Sequence, residues 1–213
     1  MQDLIIENGH VVDWFSNTDT MADISVKDGV ITAIGKATES AKRRINAAGL
    51  LVIPGIIDSH MHASSWLAGR KSYKMLALAG VTTALEMAGP LEDVKEGLRE
   101  DGSGITVGCL EMIRPGWNVQ SASPKAEELS EVIFNALDRG AFGVKLLGGH
   151  YPLTPEASAQ LIRLCDNNGV YLGIHAGSTE QGSNINGVKE IVDCAEARVS
   201  FGAYERILSG QHT

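Results

Sequence analysis

The sequence predicts an α/β fold: a small antiparallel β unit over residues 1–54, followed by an incomplete (β/α)8 barrel of about five to six strands. Three observations predict it. Short apolar runs punctuated by Asn-Gly and Asp-Gly fill the first part of the chain, and after Gly55 apolar runs of strand length alternate with amphipathic stretches. The alternation also stops short, since a closed eight-stranded barrel takes about 250 residues and the whole chain has 213.

In the first region Leu4-Ile5-Ile6 precedes Asn8-Gly9, Val11-Val12 follows it, and Ile24 and Val26 lead through Asp28-Gly29 to Ile31 and Ile34. Both Gly dipeptides are read as hairpin turns, because a tight two-residue turn needs positive φ. His10 beside the first is expected at the surface. Such a unit needs something to pack against, since a small sheet with one apolar face is not stable alone.

Beyond Gly55 the strand candidates are 51–57, 82–87, 105–110, 142–147 and 170–175, with helices at about 66–79, 91–99, 125–139 and 155–168. The third helix follows Ser123-Pro124, carries Glu127-Glu128 in its first turn and repeats Leu129, Ile133 and Leu137 at helical spacing. Thr154-Pro155-Glu156 opens the next in the same way. There is no internal repeat and no low-complexity segment.

A net charge of −8 supplies no cationic footprint for nucleic acid or an anionic membrane. No apolar run is long enough to span a bilayer, and the start MQDLIIENGH lacks the features of a secretory signal, so a cytoplasmic protein with a small-molecule substrate is expected. Cys109, Cys165 and Cys194 are odd in number and far apart, which predicts reduced, mostly buried thiols.

Chemistry concentrates at strand ends. Pro54-Gly55-Ile56-Ile57-Asp58-Ser59-His60-Met61-His62 closes an apolar run with two histidines one residue apart, and the strand period of two puts both imidazoles on one face. Paired imidazoles are ligands for zinc and similar ions, each needing a partner for its other nitrogen; Asp58 is either that partner or a local strand-end residue. Lys145, inside Gly143-Val144-Lys145-Leu146-Leu147, either snorkels to the strand end or is buried, and a buried amine must be paired, deprotonated or modified. A deprotonated lysine can take up carbon dioxide as a carbamate, an anionic ligand able to bridge two cations. His175 closes 170–175 at the same relative position, where barrel enzymes place their working groups. His150, in the loop after Gly148-Gly149, and Arg114, in Arg114-Pro115-Gly116-Trp117, are candidates for substrate contact, the arginine with a carboxylate.

The N-terminal β unit, PGIIDSHMH, GVKLL and GIHAG together resemble the amidohydrolase superfamily, nearer its deacylase, dihydroorotase and hydantoinase members than its deaminases. The resemblance implies a (β/α)8 TIM barrel joined to a β-sandwich, of which 1–54 would be the N-terminal part and 55–197 the partial barrel. It also implies that His60 and His62 hold one ion, that Lys145 as a carbamate bridges two, and that His175 holds the second. Two divalent ions, zinc foremost, would then share a hydroxide that attacks the amide carbonyl of an N-acyl amino acid or a cyclic amide.

Family members of this kind carry a further histidine on strand six and an aspartate general base on strand eight, which would make the 213 residues alone inactive and prone to self-association through unpaired strand edges. The one histidine left for strand six is His212, with no apolar strand leading into it. The tail 198–213 lacks strand pattern, and codons for Ser200 to Gly210, shifted by one nucleotide, can spell His-Leu-Ala-His-Thr-Asn-Ala-Tyr-Cys-Arg-Gly. Out-of-frame translation after about Ala197 is therefore expected, and the gene sequence tests it. A mononuclear deaminase and a non-catalytic homologue acting in assembly are the alternatives; neither requires all of His60, His62, Lys145 and His175.

Overall fold

The computed structural model describes residues 1–63, 71–176 and 185–196. The chain divides into two compact units, Met1–Gly55 and Ile56–Thr213. The apolar run 51–57, read as one strand, is divided between them. Leu51–Val52 forms β5 of the first unit and Ile56–Met61 forms β6 of the second. Pro54 has no N–H to donate to a ladder, so the run breaks at Pro54-Gly55 although its hydropathy is continuous.

The first unit is a five-stranded sheet of β1 (Gln2–Asp13), β2 (Thr18–Lys27), β3 (Val30–Gly35), β4 (Ala41–Asn46) and β5. The antiparallel pairs are β1–β2 and β2–β3, while β4 and β5 pair parallel to β1. Asp28 (φ 52°) and Gly29 (φ 77°) turn β2 into β3, as expected of a tight hairpin. Asn8-Gly9 is not a turn but a bulge inside β1, where the register with β2 skips between Ile6 and Gly9 and Asn8 takes φ 60°. A Cβ at Gly9 would meet Val52 Cγ2 at 2.6 Å, so the glycine admits the neighbouring strand. The first hairpin turns instead at Trp14–Asn17, held by the Asp13 carboxylate, which accepts from the Phe15 N–H at 3.0 Å.

The second unit alternates strand and helix: β6, α1 (Lys71–Leu78), β7 (Val81–Glu86), α2 (Leu91–Asp101), β8 (Thr106–Ile113), α3 (Ala126–Asp138), β9 (Gly143–Leu147), α4 (Pro155–Asn167), β10 (Tyr171–His175) and α5 (Ile185–Glu196). Its strands form one all-parallel sheet, ordered β10-β9-β8-β7-β6 and curled into half a barrel, as the alternation predicts. The main core lies between sheet and helices, with Leu129 and Ile133 of α3, Leu161 of α4 and Val144 and Leu146 of β9 all at 2% exposure or less. Thr154 caps α4 through its side chain, which accepts from the Ala157 N–H. The sequence reading assigned nothing to α5; its signal was Ile185, Val188, Ile191 and Val192 at helical spacing.

The five residues of β9 are all buried, whereas β6 and β10 stand at the two ends of the strand order. Ile56 and Ile57 of β6 are 49% and 68% exposed. No helix among the described residues is long and apolar enough to cross a membrane. Cys109 and Cys165 are buried free thiols and Cys194 is half-buried. His212 and the tail from Ala197 onward lie outside the described residues.

Candidate functional site

The parallel strands bring their C-terminal ends to one face, and that face collects the ionisable groups. His60 lies on β6 and His62 one residue beyond it, their ring centroids 5.3 Å apart with planes at 83°. Met61, pointing the other way, is buried against Ala63, Tyr73 and Ala84. This apolar anchor fixes which face the imidazoles take.

Glu86, at the end of β7, is the organising residue that the sequence reading missed. It is fully buried; its Oε1 lies 3.4 Å from His62 Nδ1 and accepts from the Ala88 N–H at 3.0 Å, while Oε2 accepts from the Ala63 N–H. One carboxylate thus ties β7 to the residues just after β6 and orients His62, whose Nε2 is left as the lone-pair donor when Nδ1 carries the proton. The signal was present as a carboxylate closing the apolar run Ala84-Leu85, the same pattern that marks His60 and His175. Asp58 takes the local alternative, its Oδ1 accepting from the His60 backbone N–H at 3.1 Å.

Lys145 is 1% exposed at the centre of β9, so its side chain is buried rather than snorkelling to solvent. Burial drives its amine below the ordinary lysine range, opposed by the charge of Glu86. Gly173, its register partner on β10, provides the room: a Cβ there would lie 2.7 Å from Leu110 Cδ1, 3.0 Å from Met87 Cε and 3.1 Å from Lys145 Cδ. His175 ends β10 with its ring 4.9 Å from that of His150. Burial first, then the charges of His150, Lys145, His62 and His60, hold His175 below the usual imidazole range. His60 is lowered likewise by burial, Lys145 and His62, against Asp58 and Glu86. Arg114, in the loop after β8, stacks its guanidinium 4.5 Å over the Tyr151 ring, and Tyr151 packs on Ala88, Met112 and Leu147.

The residues named from sequence therefore gather as two ring pairs around a buried lysine, with Arg114 on the loop beyond. In kind this donor set fits a divalent cation: several imidazoles, those of His60 and His175 held toward the neutral form, and an amine disfavoured as an ammonium. Among the described residues no three His, Cys, Asp or Glu side chains stand close enough to hold a metal ion by themselves. An ion here would draw on Lys145 beside His60 and His62.

No protein-family model matches the chain. In sequence it is 41% identical over 90 residues to an allantoinase of Escherichia coli O1:K1 / APEC, a match taking in 40% of this chain and 19% of that protein. In structure it matches a D-hydantoinase with a TM-score of 0.65 and 26% identity, over 82% of this chain and 40% of the other. It also matches a D-aminoacylase described for its binuclear metal centre, with a TM-score of 0.67 and 23% identity, over 92% and 49% of the two chains; that likeness shows the fold. The chain thus spans less than half the length of these two structures, and its match takes in about a fifth of the allantoinase. Together the allantoinase and D-hydantoinase matches point to the amidohydrolase superfamily, of whose members this chain spans a part.

Proposed function

We propose that the chain is part of a metal-dependent hydrolase of amide bonds, acting on an N-acyl amino acid or a cyclic amide. His60 and His62 would hold one divalent ion, zinc foremost, and His175 a second, with Lys145 between them. Bound there, such ions polarise a carbonyl and acidify water. The rest falls to the chain's own residues. Glu86 orients His62, and Gly173 gives the Lys145 side chain its space beside β10. Deprotonated Lys145 can attack carbon dioxide through Nζ, forming an N–C bond and releasing a proton, and the resulting carbamate has two oxygens to offer. Arg114, stacked on Tyr151, and His150, beside His175, lie where they could meet a substrate carboxylate and carbonyl.

The observation that carries this reading is the placement of Lys145, a fully buried amine on a strand that lies in the sheet between those carrying His60 and His175. We further infer that the 213 residues alone turn over little, because they cover only 49% of the D-aminoacylase chain they match. Association of chains through the outer edges of β6 and β10 is expected, and neither a nucleic acid nor a membrane is a partner on this reading. Metal content tests the proposal. After loading with zinc and removal of excess, bound zinc should be found in the wild type and lost in a His60→Ala, His62→Ala double variant. In a full-length relative, bound metal together with hydrolysis of an amide supports the amide hydrolase, bound metal with release of ammonia from an amine supports a deaminase, and no metal supports an assembly protein.

A further inference from the structure

We propose that the outer wall of the half-barrel carries a site for a small organic cation bearing an ammonium group, in the cavity between α2, α3 and the loop joining β8 to α3. The cavity measures about 770 Å³, within the range of about 300–1,000 Å³ usual for small-molecule sites. It lies apart from the histidine face. Alternation along β8 turns Glu111 toward the helices, where it meets the start of α2, while its neighbour Met112 packs with Ala88 and Leu147.

The charge of the walls points to a cation. Glu92, Glu111, Glu128 and Glu131 line the cavity against a single guanidinium, Arg139. Glu111 is the second and independent observation. It is 2% exposed; its Oε2 accepts from the Leu91 N–H at 3.1 Å and from Arg139 Nη2 at 3.3 Å, but its Oε1 is buried with no hydrogen-bond partner. A buried carboxylate oxygen left unpaired is costly; Oε1 is closed off as the side chains stand, and it gains a partner when a donor enters beside the half-exposed Arg139 guanidinium. Burial accordingly pushes the Glu111 carboxyl up, against the pull of the Leu91 N–H and Arg139.

The occupant is an amine rather than a metal ion. Among the described residues no three carboxylates or imidazoles are placed to hold a metal, and Glu92 is already engaged by Lys95 at 3.2 Å and Arg139 at 3.7 Å. Trp117, 52% exposed in the same wall, offers an aromatic surface to an ammonium group or its methylenes.

Calorimetric titration of the 213-residue chain with putrescine, and with its uncharged diol analogue, tests the site. Saturable binding of putrescine and none of the diol is expected. Glu111→Gln should weaken binding about tenfold or more, by loss of a charge-assisted hydrogen bond, and Glu131→Gln should weaken it several-fold. Equal binding of both probes, or no saturable binding of putrescine, overturns the proposal, as does wild-type affinity in a folded Glu111→Gln. Should Glu111→Gln fail to fold, Glu131→Gln and Trp117→Ala decide, since both residues are exposed; unchanged affinity in both overturns it.

Discussion

The two halves of the candidate site are built under opposite conditions. Lys145 sits on β9, whose residues are all buried and which is paired on both sides, whereas His60 and His175 ride on the strands that end the sheet order. A side chain at the centre is located by packing on every side. One at the edge depends on individual anchors, namely Met61 and Glu86 on the β6 side and the His150 ring against His175 on the β10 side. The central half should therefore be intolerant of change in volume, and the edge half sensitive mainly where an anchor is removed.

The most disruptive single change should be Gly143→Ala. A Cβ there runs into the carbonyl oxygen of Tyr171, backbone that cannot swing aside, so we expect a loss of more than about 3 kcal/mol in urea unfolding. A variant as stable as wild type would mean that β9 is not the rigid centre described. Next, Glu86→Ala removes the acceptor of two buried N–H groups and should cost about 2–3 kcal/mol. It should also weaken metal retention through His62, and a loss confined to one of these effects would separate fold from site.

Lys145→Met should act in the other direction. Replacing a buried amine by an apolar chain of similar volume is expected to raise stability by about 1–2 kcal/mol while lowering bound metal. Destabilisation would show that the amine is well accommodated in the fold, and unchanged bound metal that it has no ligand role. The smallest effect belongs to the edge: Ile57→Lys, at a residue 68% exposed, should change stability by under about 0.5 kcal/mol. Its consequence should appear instead as reduced self-association in sedimentation, since charge on an edge strand opposes pairing between chains. Unchanged association would place the contact elsewhere.

Much of this was legible in the sequence for local reasons. The alternation after Gly55, the Thr154-Pro155 helix start and the Asp28-Gly29 turn each rest on a few adjacent residues, and the structure has all three. Histidines closing apolar runs could be read because strand ends in a parallel sheet share one face. What misled was equally local. Asn8-Gly9 has the positive φ of a turn but spends it on a bulge, and the hydropathy of 51–57 does not reveal that the run is divided between two units.

The sequence by itself determined the order and type of most barrel elements and which side chains stand at strand ends, since periodicity and turn chemistry are properties of neighbouring residues. Only the tertiary structure decided how those side chains are held. That Lys145 is buried rather than snorkelling, that Glu86 rather than Asp58 orients His62, and that Gly173 makes room for Lys145 all depend on which strands lie side by side. Burial and hydrogen-bond pairing across a sheet are set by residues tens of positions apart, and no local pattern encodes that register.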